Sequence, residues 1–262
     1  TIATALALRL NQGYTSVWAR AAGGVLTVQA RQMGVIGDDV SLDVSGGGAG
    51  FNSAVDVVQT GRDPVWRTDL TAQPRMNRAA RDWTRAYVQA LAGYGMDVAC
   101  AFSMELQHGD PDSAAGIAQR YPSGNPVLLT TPALQTNFSP ESTAFWREVY
   151  AGCAQLMAEA GVTPYLQFGE VQWWYFPYDG SGMPFCDAYT DAAFAAQYGR
   201  PANRIADETA DAGAYVDELN FYRSLIGQFT DAVMAYVKAS HPDARFEVLY
   251  PTDVNAFPIT RV

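Results

Sequence analysis

Histidine, cysteine and long apolar runs are scarce in this sequence, and each scarcity argues against a class of site. The 262 residues include two histidines and three cysteines. The cysteines are widely spaced and form no CxxC pair, which argues against a disulfide framework and against a zinc site. Two histidines argue against a histidine-based metal centre and against a Ser-His-Asp triad. We therefore expect no metal and no cofactor.

Acidic residues outnumber basic residues in this sequence. There are 17 lysines and arginines against 27 aspartates and glutamates, a net charge of −10, which argues against nucleic acid or an anionic membrane surface as the main partner. No apolar run approaches the roughly 20 residues that span a bilayer, and no signal peptide opens the chain. The chain begins at Thr1 and stops just after a predicted strand, so we expect a segment of a longer polypeptide.

Apolar residues make up 48% of the sequence, enough for one sizeable core and a small extra module. Residues 1–60 are predicted to form a small α+β module, and residues 61–262 a larger (β/α) domain. In the module, apolar spacing predicts a helix over residues 1–12. A Gly23-Gly24 turn predicts a β-hairpin of Ser16–Ala21 with Val25–Arg31. Further strands are predicted at 40–44 and 54–58, with a glycine-rich loop at 46–50 between them.

The larger domain contains three long amphipathic helices, predicted at residues 77–92, 139–160 and 215–239. Between the first two, four prolines predict a long loop over residues 110–136. Ser139-Pro140-Glu141 is a strong helix start, because it combines a hydroxyl cap, a proline and an acidic first turn. The residues predicted to face the core are Ala80, Trp83, Tyr87, Val88 and Leu91; Phe145, Trp146, Val149, Tyr150, Cys153, Leu156 and Met157; and Leu219, Tyr222, Leu225, Ile226, Phe229, Val233 and Val237.

Each of these helices precedes a short apolar run, at residues 96–104, 164–168 and 245–250, typical of buried strands. Helix-then-strand units predict parallel strands with right-handed crossovers. An acid follows each run: Glu105, Glu170 and Asp253. At one rim of a sheet these carboxylates would converge, as in a (β/α) barrel. The predicted fold class is therefore α/β, part of a (β/α)8 TIM-type barrel behind the small module.

The stretch VTPYLQFGEVQWWYFPYD, residues 162–179, places Glu170 beside a wall of aromatic residues. Such a wall suits a sugar ring and raises a carboxyl pKa towards general-acid use. Glu170 is the predicted acid, and either Glu105 or Asp253 the second carboxylate. The residues predicted to line the cleft are Met104, Gln107, His108, Gln172, Trp173, Trp174 and Tyr178. A packed strand end whose glutamate pairs with an arginine is the structural alternative.

Three resemblances follow from these residues. The segments SVWARAA, GGVLTVQAR and MGVIGDDVSLDV resemble a small domain of phage tail sheath and sheath-like proteins, although Gly37-Asp38 stands where that family more often has Gly-Asn. Glu170 with its aromatic neighbours resembles the fourth-strand region of clan A and β-galactosidase-like glycoside hydrolases. Those enzymes usually have Asn where Gly169 stands, and their nucleophile lies on a seventh strand that this chain does not reach.

The third resemblance covers nearly the whole chain. The segments VWRTDLTAQPRMNRAARDW, SMELQHGDP, LQTNFSPESTAFWREVY and FGEVQWWYFPYDGSGMPF look like TIM-barrel-containing tail proteins of long-tailed phages and prophages, the non-contractile tail sheath proteins. That family implies a virion structural role, with many copies around a tail-tube protein and the barrel displayed outward. The aromatic wall beside Glu170 makes surface polysaccharide a further candidate partner. An active retaining glycoside hydrolase and a non-viral binding module stay open as alternatives.

Overall fold

The structure is a computed structural model that describes residues 1–12, 17–31, 67–128, 133–169, 182–250, 252 and 256–261. The chain forms two compact units, Thr1–Trp66 and Arg67–Val262. The predicted strands at 40–44 and 54–58 and the glycine-rich loop at 46–50 lie outside the described residues.

The described residues of the first unit, 1–12 and 17–31, form a helix and a β-hairpin. Helix α1 spans Ile2–Asn11 and is capped by the Thr1 hydroxyl. Strands β1 (Val17–Ala22) and β2 (Val25–Ala30) pair antiparallel, which confirms the predicted hairpin. Asn11 ties the helix to the hairpin, because its side chain accepts the Ala19 N–H at 2.8 Å and donates to the Ala19 carbonyl at 2.7 Å.

The second unit is organised around a three-stranded parallel sheet. Its strands are β3 (Cys100–Phe102), β6 (Tyr165–Phe168) and β7 (Arg245–Val248), in that spatial order. Leu166 lies between Cys100 and Phe246 in the register. The predicted parallel pairing of these three strands is thus confirmed. The described residues do not show the strands closing into a barrel.

Among the residues that the structure describes in this unit, four α-helices accompany the sheet: α2 (Arg78–Gly93), α3 (Pro140–Glu159), α4 (Ala188–Tyr198) and α5 (Val216–Lys238). The predicted start of α3 is confirmed, since the Ser139 hydroxyl accepts the Ser142 N–H and Pro140 occupies the first turn. Asn77 and Asp187 cap α2 and α4 in the same way. These caps satisfy backbone donors that a helix start leaves without partners.

Helices α3 and α5 cover one face of the parallel sheet. Phe168 lies fully buried between them, with its ring 4.9 Å from that of Tyr150 on α3 and 6.3 Å from that of Phe229 on α5. All fourteen residues predicted to face inward on these two helices are buried. The core of this unit is therefore the layer between the sheet and α3 with α5.

Helix α2 departs from the prediction. Of its predicted inward residues Val88 is fully buried, whereas Trp83 and Tyr87 are 67% and 48% exposed. The two rings stack on each other at 5.3 Å. Where α2 meets α3, the contact includes an ion pair of Arg85 with Glu159. The described residues of the second unit therefore cover only part of the apolar face of α2.

The region predicted as a long loop, residues 110–136, contains antiparallel structure instead. Strand β5 (Ala133–Gln135) pairs with β4 (Glu105–Gln107). Bridges join Ala118 to Thr136 and Arg120 to Pro126. Four prolines in this stretch favoured a loop, but proline tolerates edge and bridge positions where its missing N–H is not required.

Candidate functional site

The rim of the parallel sheet is closely packed just before Glu170. The Gly169 N–H donates to the Phe102 carbonyl at 2.7 Å, which extends the β3–β6 ladder by one residue. A Cβ atom at position 169 would lie 3.1 Å from that carbonyl oxygen. This close approach gives a physical reason for glycine at position 169, where the resembling hydrolases usually have asparagine. Glu170 itself lies outside the described residues.

Glu105 lies three residues beyond the end of β3, and not directly at the end of that strand as the sequence predicted. Strand β3 ends at Phe102, and Glu105 begins β4, which belongs to a separate antiparallel pair. The chain turns at Ser103 and Met104, and Met104 is buried with its carbonyl accepting both the N–H and the hydroxyl of Thr136, each at 3.0 Å. This anchoring diverts the chain out of the parallel sheet before it reaches Glu105, which is half-buried.

Gln107 is the last residue of β4 and His108 lies on the turn that follows it, and both are exposed. The His108 backbone is left-handed, with φ 57°, and its carbonyl accepts the Thr68 N–H at 2.9 Å. The backbone of this turn therefore fastens the segment around Thr68 to β4. The other predicted site residues lie outside the described residues: Gln172, Trp173, Trp174, Tyr178 and Asp253.

Sequence reasoning missed a carboxylate that lies on the parallel sheet. Glu247 on β7 accepts hydrogen bonds from the Tyr165 hydroxyl and the Gln167 amide of β6. Arg245, also on β7, lies 4.5 Å from the centre of the Tyr165 ring. These four side chains alternate along β6 and β7 with Leu166, Phe168 and Phe246 of the helix-covered core. We call them the polar face of the sheet.

The alternation in Arg245-Phe246-Glu247-Val248 was the signal that could have located this face. Because successive side chains of a strand point to opposite faces, a polar residue between two apolar ones lies opposite the core. The apolar residues considered alone favour a strand buried on both faces. The polar face shows instead that this sheet presents charged and amide groups opposite α3 and α5.

The electrostatics of the polar face favour binding over proton donation. Hydrogen bonds from Tyr165 and Gln167 hold the pKa of the Glu247 carboxyl below its ordinary range. The same carboxylate raises the pKa of the Tyr165 phenol, because it accepts the phenolic proton. Glu247 is therefore an ionised acceptor at neutral pH. A general acid needs the opposite shift.

A buried polar network lies where β5 leads into α3. Asn137, which is 1% exposed, donates to the Gly116 carbonyl at 2.8 Å and to Asp187 at 2.9 Å. Asp187 caps α4 and accepts the Thr190 hydroxyl at 2.7 Å. Burial raises the pKa of Asp187, while the hydrogen bonds from Thr190 and Asn137 oppose that rise. The network joins α4 to the start of α3.

Two classes of feature are absent from the part of the chain that the structure describes. It contains no group of three or more histidine, cysteine, aspartate or glutamate side chains placed to hold a metal ion. Within the same residues no helix combines the length and the apolar character needed to cross a bilayer.

Comparison with known proteins gives one match. A family model described as the non-contractile tail sheath protein TIM barrel matches residues 59–253, more than half of the chain. Searches of curated proteins and of solved structures found no match. The matched residues include the whole parallel sheet, the polar face and helices α2 to α5.

Proposed function

Because the chain belongs to the non-contractile tail sheath protein TIM-barrel family, we propose that it coats or decorates the tail tube of a long-tailed phage or prophage in many copies. Membership of this family implies a structural role in the phage tail and assembly of the chain with other copies of itself. The contact with a tail-tube protein and the outward display of the barrel domain are the proposal. Residues 1–60 would serve as the sheath-like module that makes contact with the tube.

The exposed aromatic residues of α2 are the observation that supports contact between copies. Trp83 and Tyr87 on α2 are 67% and 48% exposed and their rings stack at 5.3 Å, and Tyr94 and Met96, which follow the helix, are 83% and 55% exposed. We call this group the α2 aromatic surface. Clustered large apolar side chains on a protein surface mark interaction sites, and Trp and Tyr are enriched where interfaces carry most of their binding energy. In a protein that assembles with itself, a second copy of this chain is the occupant we assign to the surface.

Copy number tests the coat role. Quantitative mass spectrometry of purified particles would count this chain against the tail-tube subunit. A ratio near one per tube subunit is the expected result for a coat. A few copies per particle would indicate a tip or fibre component, and absence from the particles would overturn the tail role for this chain.

The assembly surface is tested with Trp83→Ala combined with Tyr87→Ala. We expect the variant to keep the circular dichroism spectrum of the native chain and to lose self-association measured by analytical ultracentrifugation. Tyr236→Ala is a matched control, since Tyr236 is 45% exposed on α5. A double variant that assembles like the native chain would remove this surface from the proposal. One that unfolds would mean that the chain itself covers the surface.

A second candidate function is recognition of a host surface polysaccharide, and the polar face supports it. The ionised Glu247 carboxylate and the Gln167 amide are the types of group that hydrogen-bond sugar hydroxyls, and the Tyr165 ring offers an apolar surface beside them. The sequence-predicted aromatic residues Trp173, Trp174 and Tyr178, with Gln172 and His108, would extend this contact. Titration of polysaccharide fragments against the native chain and Glu247→Ala tests it, with loss of binding in the variant expected.

An active retaining glycoside hydrolase is the alternative. It requires two carboxylates about 5 to 5.5 Å apart, one of them holding its proton. Glu170 with Asp253 or Glu105 was the predicted set. Of these three, Glu105 begins β4, and Glu170 and Asp253 lie outside the described residues. Turnover of a chromogenic glycoside by the native chain that Glu170→Gln abolishes would establish it.

A further inference from the structure

One face of the β-hairpin in the first unit is exposed along its whole length. Side chains alternate between the two faces of β1 and β2. On one face Val17 and Ala19 are buried, as are Ala3 and Ala7 of α1, which packs there. The residues of the other face, which we call the outer hairpin face, are all exposed: Trp18, Arg20, Ala22, Val25, Thr27 and Gln29.

An exposed aromatic ring and two arginines give the outer hairpin face its chemistry. Trp18 is 54% exposed, and the Arg31 guanidinium lies 3.9 Å from the centre of its ring. Arg20 lies two residues further along β1, on the same face as Trp18. Neither arginine takes part in an ion pair within the part of the chain that the structure describes. The face is therefore aromatic and positively charged.

The charge of the hairpin is opposite to that of the second unit. Residues 1–31 contain three arginines and no aspartate or glutamate. Residues 67–262 contain 13 lysines and arginines against 22 aspartates and glutamates. Surfaces of opposite charge attract each other, and like charges set face to face cost energy. In a protein that assembles with itself, the second unit of a neighbouring copy is the partner that this charge fits.

Exposed carboxylates are concentrated in one part of the second unit. Residues 207–217, which we call the acidic segment, contain no basic residue and four exposed acids: Asp207, Glu208, Asp211 and Asp217. Among the described residues, no other stretch of this length has both properties. Asp217 pairs with Arg200 at 3.0 Å, and the other three acids take part in no ion pair between described residues. Val216, which is 52% exposed, offers an apolar contact beside them.

We propose that the outer hairpin face of one copy binds the acidic segment of a neighbouring copy. This contact deepens the self-assembly proposed above and rests on it. It joins two different surfaces of the same chain, and such contacts, repeated head to tail, form rings or open filaments. That geometry suits a coat of many copies. The tube contact proposed for residues 1–60 would then use another surface of that module.

Zero-length cross-linking of Arg20→Lys tests the contact directly. The chain has a single lysine, Lys238, so the substitution keeps the charge and adds one reactive amine to the outer hairpin face. A carbodiimide joins this amine to a carboxylate that touches it. In a mixture of unlabelled and nitrogen-15-labelled copies, we expect peptides that link position 20 of one copy to the acidic segment of another. Arg9→Lys is the matched control, because Arg9 is exposed on α1, which packs on the opposite face of the hairpin. It should give no such link.

Charge exchange supplies a second measurement, made by analytical ultracentrifugation. Arg20→Glu should weaken self-association at least about tenfold, because it sets like charges against each other. Glu208→Lys combined with Asp211→Lys should have a similar effect. All three substitutions in one chain restore opposite charges and should recover most of the loss. Association of the native chain should also weaken as salt is added, since salt screens exposed charges.

Three results would overturn this contact: links confined to single copies, an Arg20→Glu variant that associates like the native chain, or links from position 20 to a tail-tube subunit in purified particles. The last would assign the outer hairpin face to the tube. Copy number in particles is measured separately, so failure of the tail role and failure of this contact give different results. Because Arg20→Lys keeps the charge, the cross-linking result does not depend on the folding of the reversed-charge variants.

Discussion

Helices α2 and α5 have similar apolar periodicity in the sequence, but they differ in how much of the apolar face is buried in the structure. Every residue predicted to face inward on α5 is buried, and the helix packs on α3 and on the sheet. On α2 only Val88 is buried, while Trp83 and Tyr87 are exposed. An amphipathic pattern therefore indicates that a face will be covered, but it does not identify what covers it. For α5 the cover is the same chain, and for α2 we propose a second copy.

The largest expected effect is on the α5 side of this comparison. The Phe229 ring lies 5.9 Å from that of Phe138 and 6.3 Å from that of Phe168, edge to face in both pairs. Phe229→Ala should lower the free energy of unfolding by about 3–5 kcal/mol, because it removes a buried ring and leaves a cavity. Urea denaturation followed by tryptophan fluorescence measures this loss. A loss below about 1 kcal/mol would mean that α5 is not the central core helix.

A smaller effect is expected at the start of α5. Glu218 is 1% exposed and accepts hydrogen bonds from Arg200 at 2.6 Å and from the Asn203 N–H at 2.9 Å. Glu218→Ala should lower the free energy of unfolding by about 2–3 kcal/mol, since it leaves these donors without their acceptor. Asp217→Ala is the matched control, because Asp217 pairs with the same arginine but is 50% exposed. The control should change stability by at most about 1 kcal/mol.

The pH dependence of this pair sharpens the comparison further. Burial raises the pKa of Glu218, but Arg200 and the Asn203 N–H outweigh it and the net pKa is lowered. A carboxyl whose pKa is lowered on folding stabilises the protein above its unfolded pKa, and this contribution is lost as the pH falls through the folded pKa. The stability difference between the native chain and Glu218→Gln should therefore be constant from pH 7 to about pH 5 and shrink below that. A difference that grows in acid would contradict the assignment.

The smallest effect is expected on α2. Trp83→Ala should change the free energy of unfolding of the isolated chain by about 0.5 kcal/mol or less, because an exposed side chain loses little contact. Urea denaturation at low protein concentration measures it. In an assembled sample the same substitution should lower thermal stability clearly, since binding to the folded state stabilises it. A large loss in the isolated chain would place Trp83 in the intramolecular core.

Much of the second unit was predictable because its signals are local. The Ser139-Pro140-Glu141 start of α3 and the inward face of α5 depend on neighbouring residues and on helical spacing, and both were predicted. The parallel pairing of β3, β6 and β7 was also predictable, since a helix before each short apolar run leaves few other topologies. The antiparallel strands β4 and β5 were missed, because their three-residue lengths and the prolines between them carry little periodic signal.

The sequence by itself determined the helices, the three parallel strands and the membership of residues 59–253 in a tail sheath family. Only the tertiary structure decided which side chains meet. Glu105 lies outside the parallel sheet because the preceding residue, Met104, is held by a hydrogen bond from Thr136. Glu247 contacts Tyr165 because β6 and β7 align in one register. Such contacts join residues far apart in the chain, and their pairing depends on the packing of whole elements rather than on local pattern.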